Sequence, residues 1–290
     1  MPEESPSPIV LITGCSSGFG LLTAARLASH NYTVIATMRN LNKQNELLSE
    51  VNKRGGKVQI LRLDVTDQGS IDTAIDEIAA KYGYLDVLVN NAGYALAGAF
   101  EDLSQEEIRM QMETNFFGVQ NVTRRVIPLM RHRKKGKIIN ISSVAGLFSS
   151  PGLSAYNCSK WAVEAFSESL RYELKLFGID VLLIEPGMYK TKIFLENRRL
   201  ARNFENPESP YFVYSRQLKK QTQQHVDDCH KDNEDIAVLV EKLIQAKNPS
   251  FRNIPDIEAQ IVYFLRRILP FRFFSKFIEG YSLKNLNIKK

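Results

Sequence analysis

Two hydrophobic rhythms alternate along the chain. Six short runs rich in β-branched residues, at 9–12, 33–37, 58–62, 87–90, 137–141 and 180–184, read as buried strands. Between them, 20–30, 70–82, 105–131 and 155–177 carry apolar residues at helical spacing. Strand then helix, repeated in this order, predicts an α/β fold. It is a single doubly wound domain with a parallel sheet, helices on both faces and right-handed crossovers. The rhythm fails after Pro186. Residues 189–235 are polar, charged and proline-marked, with a weak helical pattern near 214–224. An irregular insertion of that length after the last strand reads as a substrate lid. The expected layout is therefore a polar tail (1–8), the α/β domain with its insertion (9–255) and a basic amphipathic segment (256–290).

Composition narrows the picture only slightly. With 290 residues, 44% of them hydrophobic and 24% charged, the chain can bury the core of one large domain. The net charge of +6 is uneven. Seven basic residues (Arg266, Arg267, Arg272, Lys276, Lys284, Lys289 and Lys290) face one acidic residue, Glu279, over 260–290, so the remainder is neutral. Cys15, Cys158 and Cys229 are odd in number and far apart, which implies no disulfide framework and a reducing compartment. The start, MPEESPSP, lacks the basic and apolar regions of a signal peptide. No apolar run reaches the roughly 20 residues a membrane span needs. A cytoplasmic protein is expected, or one peripheral on a membrane surface. The second option comes from residues 261–280, an amphipathic basic stretch that Pro270 breaks in two. The same stretch could instead pack on the chain's own core or on a partner subunit, and both readings stay open. No nucleic-acid module is recognisable, so no nucleic-acid partner is expected.

Chemistry enters at the end of the first strand. In ITGCSSGFG, the glycines Gly14, Gly18 and Gly20 sit between a strand and a helix. Glycine permits a tight turn and a close backbone approach to phosphates, and the helix N-terminus offers free N–H groups. The second strand ends ATMRN, with no Asp or Glu to hold a ribose hydroxyl. Arg39 stands where a guanidinium could meet a 2′-phosphate, which favours NADP(H) over NAD(H). Further on, Tyr156 and Lys160 are one helical turn apart, and an ammonium beside a phenol should draw the phenol's pKa down. Cys158 between them reads as a small packing residue. The run from His225 to His230 lacks a second ligand cluster and reads as a solvated charge run, so no metal site is expected. His30 and His132 match no nucleophilic triad.

These motifs resemble the short-chain dehydrogenase/reductase family, and more finely its hydroxysteroid and retinol dehydrogenase members. The resemblance rests on TGCSSGFG from Thr13, on NNAG from Asn90, on YNCSK from Tyr156 and on Pro186-Gly187 followed by Thr191. It covers roughly residues 9–191, about two-thirds of the chain. It implies a Rossmann fold and, in most members, a homo-oligomer. The cofactor would be held by Thr13, Gly14, Ser16, Ser17, Gly18, Phe19 and Gly20 in the loop, and by Arg39, Asp64 and Val65 around the adenosine. Asn91, Ala92 and Gly93, Tyr156 and Lys160, and Pro186, Gly187 and Thr191 would complete its site. The catalytic set implied is Tyr156 as general acid/base, Lys160 as its pKa partner and ribose ligand, Ser143 as substrate orienter and Asn115 as support for a proton relay. Ser142 competes with Ser143. The pocket walls expected at 94–100 and 144–153 are mostly apolar and uncharged. They favour a lipophilic carbonyl or alcohol of steroid, retinoid or long-chain type, unless the insertion brings Arg198, Arg199 or Arg202 inward. With NADP(H), reduction is the expected direction. A non-catalytic dinucleotide-binding regulator or scaffold is the alternative.

Overall fold

The structure, a computed structural model, describes residues 7–191 and 198–283. Seven parallel strands form the central sheet in the order β3-β2-β1-β4-β6-β7-β9. They are β1 (Ile9–Ile12), β2 (Thr33–Met38), β3 (Val58–Arg62), β4 (Val87–Asn90), β6 (Gly136–Ile141), β7 (Ile179–Ile184) and β9 (Arg252–Asn253). The remaining two, β5 (Leu96–Ala97) and β8 (Arg199–Leu200), pair with each other outside that sheet.

Alternation along each strand sorts the core into two layers. Val10 and Ile12 of β1 face one layer, with Leu21 and Ala24 of α1 (Gly18–Ser29), Leu47 and Val51 of α2 (Gln44–Lys53), and two residues of a later helix, Ile236 and Val240. Ile9 and Leu11 face the other. There they meet Ile71, Ile75 and Ile78 of α3 (Gln68–Tyr82), and Val122, Val126 and Met130 further along. The helices thus cover both faces, as the strand–helix rhythm predicts.

Three elements escape the sequence pattern. The helix α2 has only two buried residues, Leu47 and Val51. Its periodic signal is therefore faint. Strand β9 is two polar residues, Arg252 and Asn253, held to Leu183 and Ile184 of β7. The stretch 105–131 is one helical rod in three parts: α4 (Gln105–Met112), a π-helical turn (Glu113–Phe117) and α5 (Gly118–Arg131). Next come α6 (Ser154–Leu174), α7 (Phe212–Asp227), α8 (Glu234–Gln245), α9 (Ile257–Ile268) and α10 (Phe271–Leu283). The weak pattern near 214–224 belongs to α7, a full 16-residue helix. Strand order reverses between β1 and β4, and a crevice opens there beyond the carboxyl ends of the strands.

Candidate active site

The crevice is a cavity of about 510 Å³. One wall is the glycine loop. Gly14 and Gly18 adopt φ of +75° and +61°, a region that disfavours side chains. A Cβ on Gly14 would fall 2.8 Å from the Ala92 Cα. The loop is tied down from below. Thr13 Oγ1 accepts hydrogen bonds from the backbone N–H of Asn91 and of Ala92, each at 3.0 Å. Asn91 Nδ2 donates to the carbonyls of Thr13 (2.9 Å) and Gly14 (3.0 Å). Helix α1 then opens toward the cavity with no acidic residue in its first turn. A cradle that any side chain would fill, beside a helix N-terminus free of carboxylates, fits the phosphates of a dinucleotide.

Most residues expected to hold the cofactor line this cavity: Gly14 and Ser16 to Phe19, Arg39, Asp64 and Val65, Asn91 to Gly93, Tyr156, Lys160, Pro186, Gly187 and Thr191. Two do not. Thr13 faces the β4 end, and Gly20 packs so tightly there that a Cβ would lie 2.4 Å from Asn91 Nδ2. Both shape the loop from behind. At the end of the cavity beyond β2 and β3 the Arg39 side chain is 68% exposed, with its Nε 4.0 Å from Asp64 Oδ2. Asp64 is itself engaged, accepting from the backbone N–H (3.0 Å) and hydroxyl (2.8 Å) of Thr66. Lys43 lines the same end and went unnoticed in the sequence. Its signal is the four-residue step from Arg39.

The opposite wall carries Ser143, Tyr156 and Lys160. Ser143 caps a short 3₁₀ turn: its Oγ accepts from Ala145 N–H at 3.1 Å, and its hydroxyl also meets the Tyr156 phenol. Ser142 lies instead against the Glu164 carboxylate. Both serines that compete in the sequence line this cavity. Tyr156 is buried, and burial pushes its phenol up to about 12, opposed only in part by the Ser143 hydroxyl. This departs from the expectation that Lys160 draws it down. The Lys160 Nζ donates to the Ile141 carbonyl at 2.9 Å and stands 5.8 Å from the Tyr156 ring centroid. Desolvation of the phenolate outweighs a cation at that range. The ammonium is itself desolvated, which lowers it to about 8 against the opposing pull of Glu164.

Behind Lys160 lies a partly buried charge cluster that the sequence did not announce. Arg252 binds Glu164 in a short ion pair, Glu185 at 3.1 Å and Glu168 at 3.5 Å. Burial, with the Glu164 charge nearby, pushes Glu185 up to about 8. No spacing rule connects residues 164, 185 and 252; β9 brings them together.

Asn115 does not line the cavity. Held in the π-helical turn, it accepts from Tyr94 N–H at 3.1 Å and donates to the Tyr94 carbonyl at 3.0 Å and to Ser159 Oγ at 3.2 Å. Gln111, one turn earlier, clamps the same strand through Leu96 N–H (2.8 Å) and the Tyr94 carbonyl (3.0 Å). Cys158 is exposed rather than packed.

A second cavity of about 820 Å³ adjoins the first, and Arg198 lines both. Its apolar lining comes from Ala95 and Ala97, Pro151 and Leu153, and from Leu200, Phe204 and Leu218 beyond the last long strand. Its rim holds His225, Asp228, His230, Lys231 and Glu258. The run His225–His230 borders this cavity because α7 folds back over residues 150–153, while its histidines and aspartates stay exposed, as in a solvated charge run. The three arginines part company. Arg198 is half-buried between the cavities, Arg199 stacks 4.6 Å over the Tyr94 ring, and Arg202 donates its backbone N–H to Glu107 at 2.9 Å.

Comparison with known proteins agrees with this architecture. The family model described as "short chain dehydrogenase" matches residues 8–201. A 3-ketodihydrosphingosine reductase of Bacteroides thetaiotaomicron is 40% identical over 255 residues, covering 88% of this chain and 90% of that one. Retinol dehydrogenase 8 of Bos taurus is 35% identical over 251 residues, covering 84% and 80%. Among solved structures, a short-chain dehydrogenase from Streptomyces avermitilis superposes with a TM-score of 0.78 at 32% identity, over 96% of this chain and 97% of that one.

Proposed function

The chain belongs to the short-chain dehydrogenase family, and from that premise we propose that it is an NADP(H)-dependent reductase of a lipophilic carbonyl compound, with Tyr156 as the general acid. One observation carries the reading. Ser143, Tyr156 and Lys160 share a wall of the cavity whose other wall is the glycine loop, and an apolar cavity opens alongside.

When bound, the nicotinamide supplies the hydrogen and electron pair that reduce the carbonyl carbon. The chain's own residues handle the oxygen. Ser143 and Tyr156 donate hydrogen bonds to it, and these strengthen as negative charge develops. A phenol held near 12 carries its proton at neutral pH, so it is ready to give that proton to the nascent alkoxide. The Lys160 ammonium then lies beside the phenolate that remains and lowers its energy. Asn115 supports this relay from one step back, by fixing the Tyr94 backbone and the Ser159 hydroxyl next to Lys160. Running the steps in reverse oxidises an alcohol, and this requires the phenol to be deprotonated first.

Arg39, with Lys43 at the same end, supports the choice of NADP(H), since two cations beside an open ribose site favour a 2′-phosphate. The apolar second cavity favours a steroid, retinoid or long-chain ketone or aldehyde. The relative named for 3-ketodihydrosphingosine reduction lends weight to the long-chain option. The test is turnover of NADPH and NADH by the purified protein against lipophilic carbonyls, with small polar ones alongside. Oxidation of NADPH by lipophilic members is expected. Tight NADPH binding without turnover on any of them would overturn the reading in favour of a dinucleotide-binding regulator.

A further inference from the structure

An ordinary surface helix turns its apolar stripe toward the core. Helix α9 does the reverse. Ile257, Ile261, Phe264 and Ile268 follow one another at four, three and four residues, a single helical face, yet they are 73%, 53%, 60% and 55% exposed. In α10, Phe271, Phe273 and Phe277 are also at least half exposed, while Phe274 alone turns inward, its ring 6.2 Å from that of Phe148. Among the described residues, seven of the fifteen exposed large hydrophobics fall in these two helices. None of the described helices is long and apolar enough to cross a membrane.

Cations are interleaved with this stripe. The Arg266 guanidinium lies 5.1 Å from the Phe271 centroid, Arg267 5.7 Å from Tyr263 and Arg272 5.9 Å from Phe273. Lys276 is exposed in the next turn. A second copy of the chain, paired through this face about a two-fold axis, would set these cations against their own copies. Only Glu258 and Glu279 within the two helices could answer them. A lipid surface presents the complement that is needed: phosphates and carboxylates above a hydrocarbon layer that accepts the phenylalanines. The location suits this as well. Glu258, in the first turn of α9, lines the apolar cavity, and Phe148, which Phe274 touches, lies close to that cavity's 150–153 wall.

We infer that α9 and α10 form a docking face for a bilayer rich in anionic phospholipid, and that docking sets the mouth of the apolar cavity against the lipid that holds its substrate. The second clause rests on the proposed function; the first does not.

The test is co-sedimentation of the full chain with phosphatidylcholine vesicles, with and without phosphatidylserine. The protein should partition onto phosphatidylserine vesicles at least tenfold better and release as salt rises. The triple variant Arg267→Glu, Arg272→Glu, Lys276→Glu should lose about a hundredfold of that binding. The variant Phe264→Ser, Phe271→Ser, Phe273→Ser should lose it on both vesicle types. Mass by light scattering and turnover of a short, water-soluble ketone should stay unchanged in both variants. Failure of the full chain to sediment with phosphatidylserine vesicles at low salt would overturn the inference. So would a fall in mass on Phe substitution, since a second copy would then be what covers the face. Vesicle binding without any carbonyl turnover would uphold the docking face and sink the enzymatic reading.

Discussion

The two cavities are built on opposite principles. The walls of the dinucleotide cavity come largely from short stretches that immediately follow a strand of one sheet. Each such stretch is fixed by near neighbours: Thr13 to Asn91, Ser143 to Ala145, Lys160 to Ile141. The apolar cavity draws its walls from residues 95–98, 150–153, Met188, 198–204 and 218–231, which no common element orders. The two-residue pairing of β5 with β8 and the fold-back of α7 bring them together. Backbone geometry can thus confine phosphate chemistry to a few types of residue. An apolar volume can be enclosed by many different side chains. The first cavity should therefore respond to substitution alike for every substrate, and the second only for substrates large enough to fill it.

The sharpest break in that contrast is Tyr156→Phe. It should lower kcat by a factor of about a hundred to ten thousand for short and long substrates equally, with NADPH affinity kept, as steady-state kinetics and cofactor-fluorescence titration would record. A loss confined to long substrates would mean that Tyr156 serves the apolar cavity instead. Arg39→Asp comes next. Affinity for NADPH relative to NADH should fall roughly tenfold to a hundredfold, the worth of a charged hydrogen bond, again whatever the substrate. The reverse case is Leu218→Trp, on the wall from α7. It should raise KM for a long-chain ketone by about tenfold and leave that for a short ketone unchanged, as loss of a few buried methylenes would do.

The smallest effect is on stability. Burial holds the Lys160 ammonium at about 8, so the folded chain binds that proton less firmly than the unfolded one. Below pH 8 the charge stays on and destabilises the fold by roughly 3 kcal/mol. Part of that returns in Lys160→Met, because the Ile141 carbonyl loses its donor, a loss of about 1–2 kcal/mol. The variant should therefore be inactive and yet more stable at pH 7 by about 1–2 kcal/mol in urea titration. Its advantage should shrink as pH rises from 8 toward 10.5, where the wild-type lysine is discharged in both states. By the same titration, reduction by the wild type should decline above about pH 8.

What the sequence disclosed follows the same division. The six main strands, the glycine loop and the pair Tyr156–Lys160 were legible because each depends on spacing within one or two elements. The different neighbours of Ser142 and Ser143 were not, since they turn on which hydroxyl meets Tyr156 and which meets Glu164. Nor was the direction of the Tyr156 shift, because spacing reports how near a cation is and says nothing of how much water has left. The Glu164–Arg252–Glu185 cluster joins three distant segments through a two-residue strand with no apolar pattern. The place of residues 225–230 beside the apolar cavity was missed for a related reason. Their exposed side chains have the composition of a solvated loop, and the path of α7 sets them at the cavity.

The π-helical turn at Glu113–Phe117 has a consequence for how this rod can be edited. A π turn holds one residue more than the α-helical turn it replaces, and each residue of an α-helix advances the phase by about 100°. Upstream, that phase points Gln111 at the strand of the apolar cavity; downstream, it points Val122, Val126 and Met130 into the sheet's core. Excising a single residue within that turn would leave an α-helical turn of the same rotation, with both sets still on target; excising one from the α-helical stretches on either side would swing one set off by about 100°. The extra residue works as a clutch between two drive shafts, and so a change of length is absorbed within that turn and not in the helices that flank it.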